Sequence, residues 1–176
     1  MKISTRLTGI HVLIVDDAID LASLFAWILR GAGARVSEAH DLSEGLASVF
    51  GGKPDVLLCD LELGGESGFA LMEAVRVSER EGERHLPAAA ITSVGTDQVR
   101  DECVAIGFDE FVLKPIEPQP LIDLVVRLRH LNYRPGFPNP TVLARRQMLR
   151  GTSLGARLAD GERQDGGDSE NRLSLH

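Results

Sequence analysis

The sequence predicts a doubly wound α/β domain built on a five-stranded parallel sheet, and three observations lead there. Over residues 9–131, short β-rich runs alternate five times with amphipathic stretches. Three of the runs are apolar throughout, as strands covered on both faces must be, whereas the second (Arg35, Val36, Ser37, Glu38) alternates like a strand at a sheet edge. The 176 residues, 43% hydrophobic and 26% charged, suit one domain that buries a core without disulfides.

The predicted strands are 12–15, 35–38, 55–59, 88–91 and 111–113. Between the first two, Leu21, Leu24, Phe25, Ile28 and Leu29 recur at helical spacing and form one apolar stripe that ends at Gly31 and Gly33. Trp27 lies one position off that stripe. Asp41 or Ser43 can cap a second helix running to Phe50, closed by Gly51 and Gly52, and Ser67 can cap a third running to about Arg80. Thr96 can cap a fourth that carries Val99, Cys103 and Ile106. The fifth, from about Pro118 to Leu131, turns Leu121, Leu124, Val125 and Leu128 inward. With the second strand at an edge, the expected strand order is 2-1-3-4-5, the flavodoxin-like arrangement.

Polar residues punctuate the strand ends. Asp16 and Asp17 follow the first strand, Asp60 the third, Thr92 the fourth and Lys114 the fifth. In an open parallel sheet these ends share one rim, and a crevice opens where the strand order reverses, here between strands one and three. Each residue alone reads as a turn or cap residue; their convergence does not. Three carboxylates brought together repel unless a cation joins them, and an oxygen-only site with room for water suits Mg²⁺. A metal, a hydroxyl and an ammonium are what a phosphoryl group needs around it. With no Ser-His pair and no activated Cys at the rim, the expected nucleophile is a carboxylate. Asp60, alone on the central strand opposite the Asp16-Asp17 pair, is the candidate.

Ile14-Val15-Asp16-Asp17, Leu58-Cys59-Asp60-Leu61-Glu62-Leu63 with Gly68 eight positions after Asp60, Ile91-Thr92-Ser93 and Phe111-Val112-Leu113-Lys114-Pro115 occur in this order and spacing. Through them the chain resembles the receiver domain of two-component response regulators over residues 9 to about 131. The resemblance implies that Asp60 accepts phosphate from a sensor histidine kinase or a histidine phosphotransfer protein and becomes an acyl phosphate. It further implies that Asp17 and Asp60 bind Mg²⁺ directly with the main-chain carbonyl of Glu62, Asp16 assisting through water. Thr92, followed by Ser93, and Lys114 would hold the phosphoryl oxygens. Phe111 occupies the place of a switching aromatic, and the face of the fourth helix, fifth strand and fifth helix would meet a downstream protein. Gly68 and Pro115 set loop geometry, with a cis Lys114-Pro115 bond expected. The family's common proline four residues after the phosphoacceptor is Gly64 here, followed by Gly65, which predicts a looser loop.

A Mg²⁺-dependent phosphatase of the haloacid dehalogenase type also uses an aspartyl phosphate. It needs an Asp-x-Asp where this chain has Asp16-Asp17-Ala18-Ile19-Asp20, and this misplaces the second acid. The formal charge of −7 argues against nucleic-acid binding by the chain as a whole. Residues 131–150, however, hold four arginines (Arg134, Arg145, Arg146, Arg150) and no acid, so a basic tail that binds nucleic acid is the alternative output. The reading of residues 132–176 is an appendage to a stand-alone receiver, disordered on composition, with one short possible helix at 141–150. No apolar run matches a signal peptide or a membrane span. Two cysteines make no disulfide framework, so a cytoplasmic location is expected. The five histidines have no ligand spacing and read as surface residues away from the crevice; Cys59 reads as a core residue pointing away from Asp60's side of the strand.

Overall fold

The protein is described by a computed structural model, in which residues 6–80 and 84–131 are placed. The chain runs β1 (His11–Val15), α1 (Ile19–Gly31), β2 (Arg35–Ala39), α2 (Leu42–Gly52), β3 (Val56–Cys59), β4 (Glu62–Leu63), β5 (Glu66–Ser67), α3 (Gly68–Arg80), β6 (Ala88–Thr92), α4 (Asp97–Ile106), β7 (Glu110–Leu113) and α5 (Pro118–Leu131). Five strands form a parallel sheet in the order β2-β1-β3-β6-β7. With the short β4–β5 hairpin set aside, this is the expected 2-1-3-4-5. Val12 pairs with Val36 on one side and with Val56 on the other, which fixes the register of the three strands beside the switch point.

The strand period of two sorts the core into two layers. Val12, Ile14, Val56 and Leu58 pack with Phe25 and Leu29 of α1 and with Leu121, Leu124, Val125 and Leu128 of α5. Leu13, Val15, Leu57 and Cys59 pack on the other face with Leu71, Met72 and Val75 of α3 and Cys103 of α4. Asp41, the first of the two cap candidates, caps α2 by accepting from Glu44 N–H at 2.7 Å. Thr96 caps α4 by accepting from Val99 N–H. Ser67 Oγ accepts from Phe69 N–H at the start of α3.

Several expectations need correction. Within α1 the inward face is centred on Ala22, Phe25, Ala26 and Leu29, and Leu24 is left 50% exposed. Alanines face the sheet, which turns the apolar stripe away from its predicted centre. The loop after Asp60 is not loose: Gly64 and Gly65, at φ 62° and 98°, close the antiparallel β4–β5 hairpin, and two consecutive left-handed residues suit the twist of such a ribbon. Although β7 is apolar over 111–113, it is the second edge of the sheet, and Leu113 is 44% exposed. Leu7, ahead of the first strand, is fully buried as well.

The histidines also differ from expectation. His11 is buried and bonded to Ser37 and Arg35, and His85 joins Glu79 and Asp109. The predicted tail, 132–176, with its helix at 141–150, lies outside the described residues. Among the described residues no helix is long and apolar enough to cross a membrane.

Candidate functional site

The carboxyl ends of β1 and β3 are adjacent strand ends, and β2 and β6 lie to opposite sides of them. Asp16 and Asp17 leave β1 there and Asp60 leaves β3, so the crevice at the order reversal receives all three carboxylates. Their ligand oxygens lie within 4.8 Å of one another. Asp16 and Asp60 are 2% and 8% exposed, whereas Asp17 faces solvent. The main chain fixes the base of the site, since Asp60 N–H donates to Val15 O at 2.8 Å.

Each carboxylate has a defined partner. Lys114, at the end of β7, donates from Nζ to Asp16 Oδ2 at 2.7 Å and to Asp60 Oδ2. Burial works against its charge, yet the hydrogen bonds to Asp16 and Asp60 prevail and hold the Lys114 ammonium above its ordinary range. Asp16 Oδ1 accepts from Ala18 N–H at 3.0 Å and so orders the entry to α1, which has no side-chain cap of its own. Asp60 Oδ1 accepts from Leu61 N–H at 2.6 Å and from Glu62 N–H at 3.3 Å. Asp17 Oδ2 accepts from Gly64 N–H at 3.0 Å, which ties the β4–β5 hairpin to the acid pair.

Asp16, Asp17, Asp60 and Lys114 are thus in direct contact or within reach of one another. Thr92 ends β6 beside Asp60's strand and is 1% exposed; its carbonyl accepts from Lys114 N–H and its Oγ1 from Val94 N–H. Ser93 follows on the exposed rim. Glu62 has an exposed side chain and meets Asp60 through its main chain. Phe111 lies outside the cluster, half-buried against the second core layer with the Arg100 guanidinium 4.9 Å from its ring centroid. The Lys114-Pro115 bond is cis. A Cβ built on Gly68 would fall 2.0 Å from Asp60 O, so only glycine fits against that carbonyl.

One neighbour escaped the sequence reading. His40 follows β2, and its Nδ1 lies 3.1 Å from Asp16 O, at the crevice rim. The signal was available in the register: β2 pairs residue by residue with β1 up to Ala39 opposite Val15, which makes His40 the neighbour of Asp16. Cys59 points into the core as expected; burial pushes its thiol well above the usual range, so it is no nucleophile.

Three aspartates and one lysine carry a formal charge of −2, and every side-chain donor to a cation here is oxygen. That is the donor set of a hard divalent cation, and it suits a site that leaves positions for water and phosphate oxygens.

Comparison with known proteins agrees with this arrangement. A family model described as the response regulator receiver domain matches residues 12–126. The chain is 33% identical over 119 residues to an uncharacterized 14.6 kDa protein of Leptolyngbya boryana, spanning 68% of this chain and 89% of that one. It is 31% identical over 130 residues to the phosphate regulon transcriptional regulatory protein PhoB of Pseudomonas aeruginosa, spanning 74% of this chain and 55% of that protein. The chain therefore covers about half the length of that regulator. Among solved structures, the chemotaxis response regulator CheY4 of Vibrio cholerae superposes with a TM-score of 0.63 at 28% identity, covering 69% of this chain and 99% of that one. A putative response regulator of Chloroflexus aurantiacus gives 0.61 at 31% identity, over 69% and 98%.

Proposed function

The chain belongs to the response regulator receiver domain family of two-component signalling, and from that premise we propose that Asp60 accepts a phosphoryl group from the phosphohistidine of a sensor kinase or phosphotransfer protein. One observation carries the assignment: three carboxylates from two strands converge at the switch point around the ammonium of Lys114. An Asp60 carboxylate oxygen attacks phosphorus and forms the O–P bond. The P–N bond breaks, and its electron pair returns to the imidazole nitrogen of the donor. The product is an acyl phosphate on a regulatory domain rather than the turnover of a free substrate.

Mg²⁺ bound at this site supplies charge neutralisation for the attacking carboxylate and the phosphoryl oxygens. Asp17 and Asp60 with the Glu62 carbonyl are the residues to hold it directly, Asp16 through water. The chain's own groups do the rest. Leu61 and Glu62 N–H groups orient the nucleophile by holding Oδ1. Lys114 lies against Asp60 Oδ2 and can pair with the incoming phosphate, while Thr92, backed by Ser93, offers a hydroxyl at the next strand end. Phe111 lies on the α4–β7–α5 face, through which a downstream protein would read the phosphorylated state, and Gly68 and Pro115 shape the two loops on either side. In this reading residues 9–131 are the receiver unit and the chain works in the cytoplasm. Family membership does not favour the haloacid dehalogenase alternative; the nucleic-acid-binding tail falls on residues outside the described structure.

Intact mass after incubation with acetyl phosphate and Mg²⁺, beside Asp60→Asn and an EDTA control, tests the reading. A metal-dependent gain of one phosphoryl group, absent from the nearly isosteric and folded variant, is the expected result. Equal gain by Asp60→Asn would overturn it.

A further inference from the structure

The turn that follows β2 reaches the acid site with a side chain that the proposed chemistry does not use. In the parallel ladder between β2 and β1, Arg35 N–H donates to Ile10 O at 2.9 Å. At the ladder's step of two, the acceptor that falls due after β2 has ended is Asp16 O. A ring meets it there: His40 Nδ1 lies 3.1 Å from Asp16 O. A carbonyl oxygen only accepts, so Nδ1 carries the hydrogen and donates. The preceding peptide unit is held from both sides, with Asp16 N–H donating to Ala39 O at 3.1 Å and Val15 O accepting from Asp60 N–H at 2.8 Å. The unit that joins Asp16 to Asp17 accepts at its carbonyl from His40.

We propose that His40 is a positioning residue for the acid site: its Nδ1–H sets the plane of the Asp16–Asp17 peptide and so aims both carboxylates at a divalent cation. This role rests on the reading of the site as a Mg²⁺-dependent phosphoacceptor. Three observations carry it. The ring is placed in advance of any ligand, because His40 N–H donates to Glu44 Oε2 at 2.9 Å while Glu44 N–H donates to Asp41 Oδ1 at 2.7 Å, a reciprocal lock on the first turn of α2. That lock uses the main chain of residue 40, so it survives a change of side chain. The same turn also holds the other approach to Asp17. Leu42 N–H donates to Glu66 Oε2 at 3.3 Å, and the hairpin that contains Glu66 donates Gly64 N–H to Asp17 Oδ2 at 3.0 Å. The need is greatest at Asp17: Asp16 is buried and bonded to Lys114 and to Ala18 N–H, whereas Asp17 is exposed, and its aim depends on the hairpin and on the peptide that carries it.

The test is the Mg²⁺ affinity of the full-length protein, measured by calorimetric titration for the unaltered chain, His40→Ala, His40→Asn and His40→Gln. Asparagine places its amide nitrogen close to where the ring holds Nδ1 and glutamine close to Nε2, so only asparagine restores the donor. The expected result is binding roughly fivefold weaker in His40→Ala and His40→Gln, the worth of one hydrogen bond, and regained in His40→Asn. The Mg²⁺ concentration for half-maximal phosphoryl gain from acetyl phosphate should shift by the same factor. A nitrogen-15 spectrum of the metal-free protein at alkaline pH should show the neutral His40 ring protonated on Nδ1. A thermal melt checks that each protein folds, and if His40→Ala does not, the asparagine and glutamine variants decide between them.

Equal affinity in all the folded proteins would overturn the role of His40 and leave the cation site standing. His40→Asn binding no better than His40→Gln would overturn it as well, by showing that the ring fills space rather than donates, and so would a neutral ring protonated on Nε2. An unaltered chain that binds no Mg²⁺ would overturn the cation site and the role of His40 together.

Discussion

Replacing Gly68 by alanine is expected to disable the acid site without touching any of its charged groups. The added Cβ would lie 2.0 Å from Asp60 O and 3.0 Å from both Asp60 C and Leu61 Cα. These are main-chain atoms and cannot swing aside, so about 1 Å of separation must come from moving the β3–β4 connection against α3. That displacement acts on the bonds that orient Asp60, from Leu61 N–H at 2.6 Å and Glu62 N–H at 3.3 Å, and on Gly68 N–H to Leu61 O at 2.9 Å. Overpacking costs about 1–3 kcal/mol, and each weakened hydrogen bond roughly another 1 kcal/mol. A total near 3 kcal/mol corresponds to a fall in Tm on the order of 10 °C. A reacting group misplaced by about 1 Å costs roughly 100-fold in rate. The assay is the time course of phosphoryl gain from acetyl phosphate by intact mass, at a temperature where a melt shows the variant folded. Gly31→Ala is the control, because nothing lies within 4 Å of its Cβ and its φ is not left-handed. Gly68→Ala taking up phosphate as fast as the Gly31→Ala protein, with an unchanged melt, would refute the reasoning.

Four further outcomes are expected. Gly64→Pro restores the family's common residue but here should destabilise, by about 3 kcal/mol, because it removes the N–H that Asp17 accepts and cannot adopt φ 62°; a raised melting temperature would contradict the hairpin geometry. Arg76→Ala should cost about 3–5 kcal/mol in a urea titration, because the buried guanidinium bonds Gly107 O, Leu86 O, Glu79 and Asp109. Burial opposes charging of His85, yet bonds to Asp109 and Glu79 push its pKa up to about 9 from 6.5. Since the folded value is raised, the stabilisation is complete below pH 6.5 and lost as pH climbs through about 9, on the order of 3 kcal/mol in all; His85→Gln should flatten this limb, and an unchanged pH profile would remove His85 as its source. Asp17→Ala should weaken Mg²⁺ binding in a calorimetric titration while the melt stays within about 1 kcal/mol, since Asp17 is exposed.

The strand ends were the legible part of this molecule. Asp16, Asp17, Asp60 and Lys114 could be placed together from sequence because a parallel sheet sends every strand's carboxyl end to one rim. The strand order followed from the polarity of Arg35, Ser37 and Glu38. Helix faces were read less well where small residues decide them: Ala22 and Ala26 bring α1 close to the sheet and leave Leu24 outside, a choice that hydrophobic periodicity alone does not reveal. Gly64 and Gly65 looked like slack because glycine signals both freedom and a required left-handed turn, and the pairing of Glu62 with Ser67 that decides between them is made across the turn. His11 and His85 gave no local sign of burial. Their partners Ser37 and Asp109 are 26 and 24 residues away in sequence and meet them only in the folded sheet.

The cluster around Arg76 lies at the end of the sheet opposite the acids. It joins α3, the residue before Pro87 and β6, the C-terminus of α4, and Asp109 at the head of β7, whose carboxylate also accepts from Ala88 N–H. Strands of four or five residues separate it from the crevice by roughly 15 Å. A single buried side chain thus knots α3, the lead-in to β6, the end of α4 and the head of β7 together at the pole away from the acids, so the two strands that carry Thr92 and Lys114 to the rim start from a common anchor.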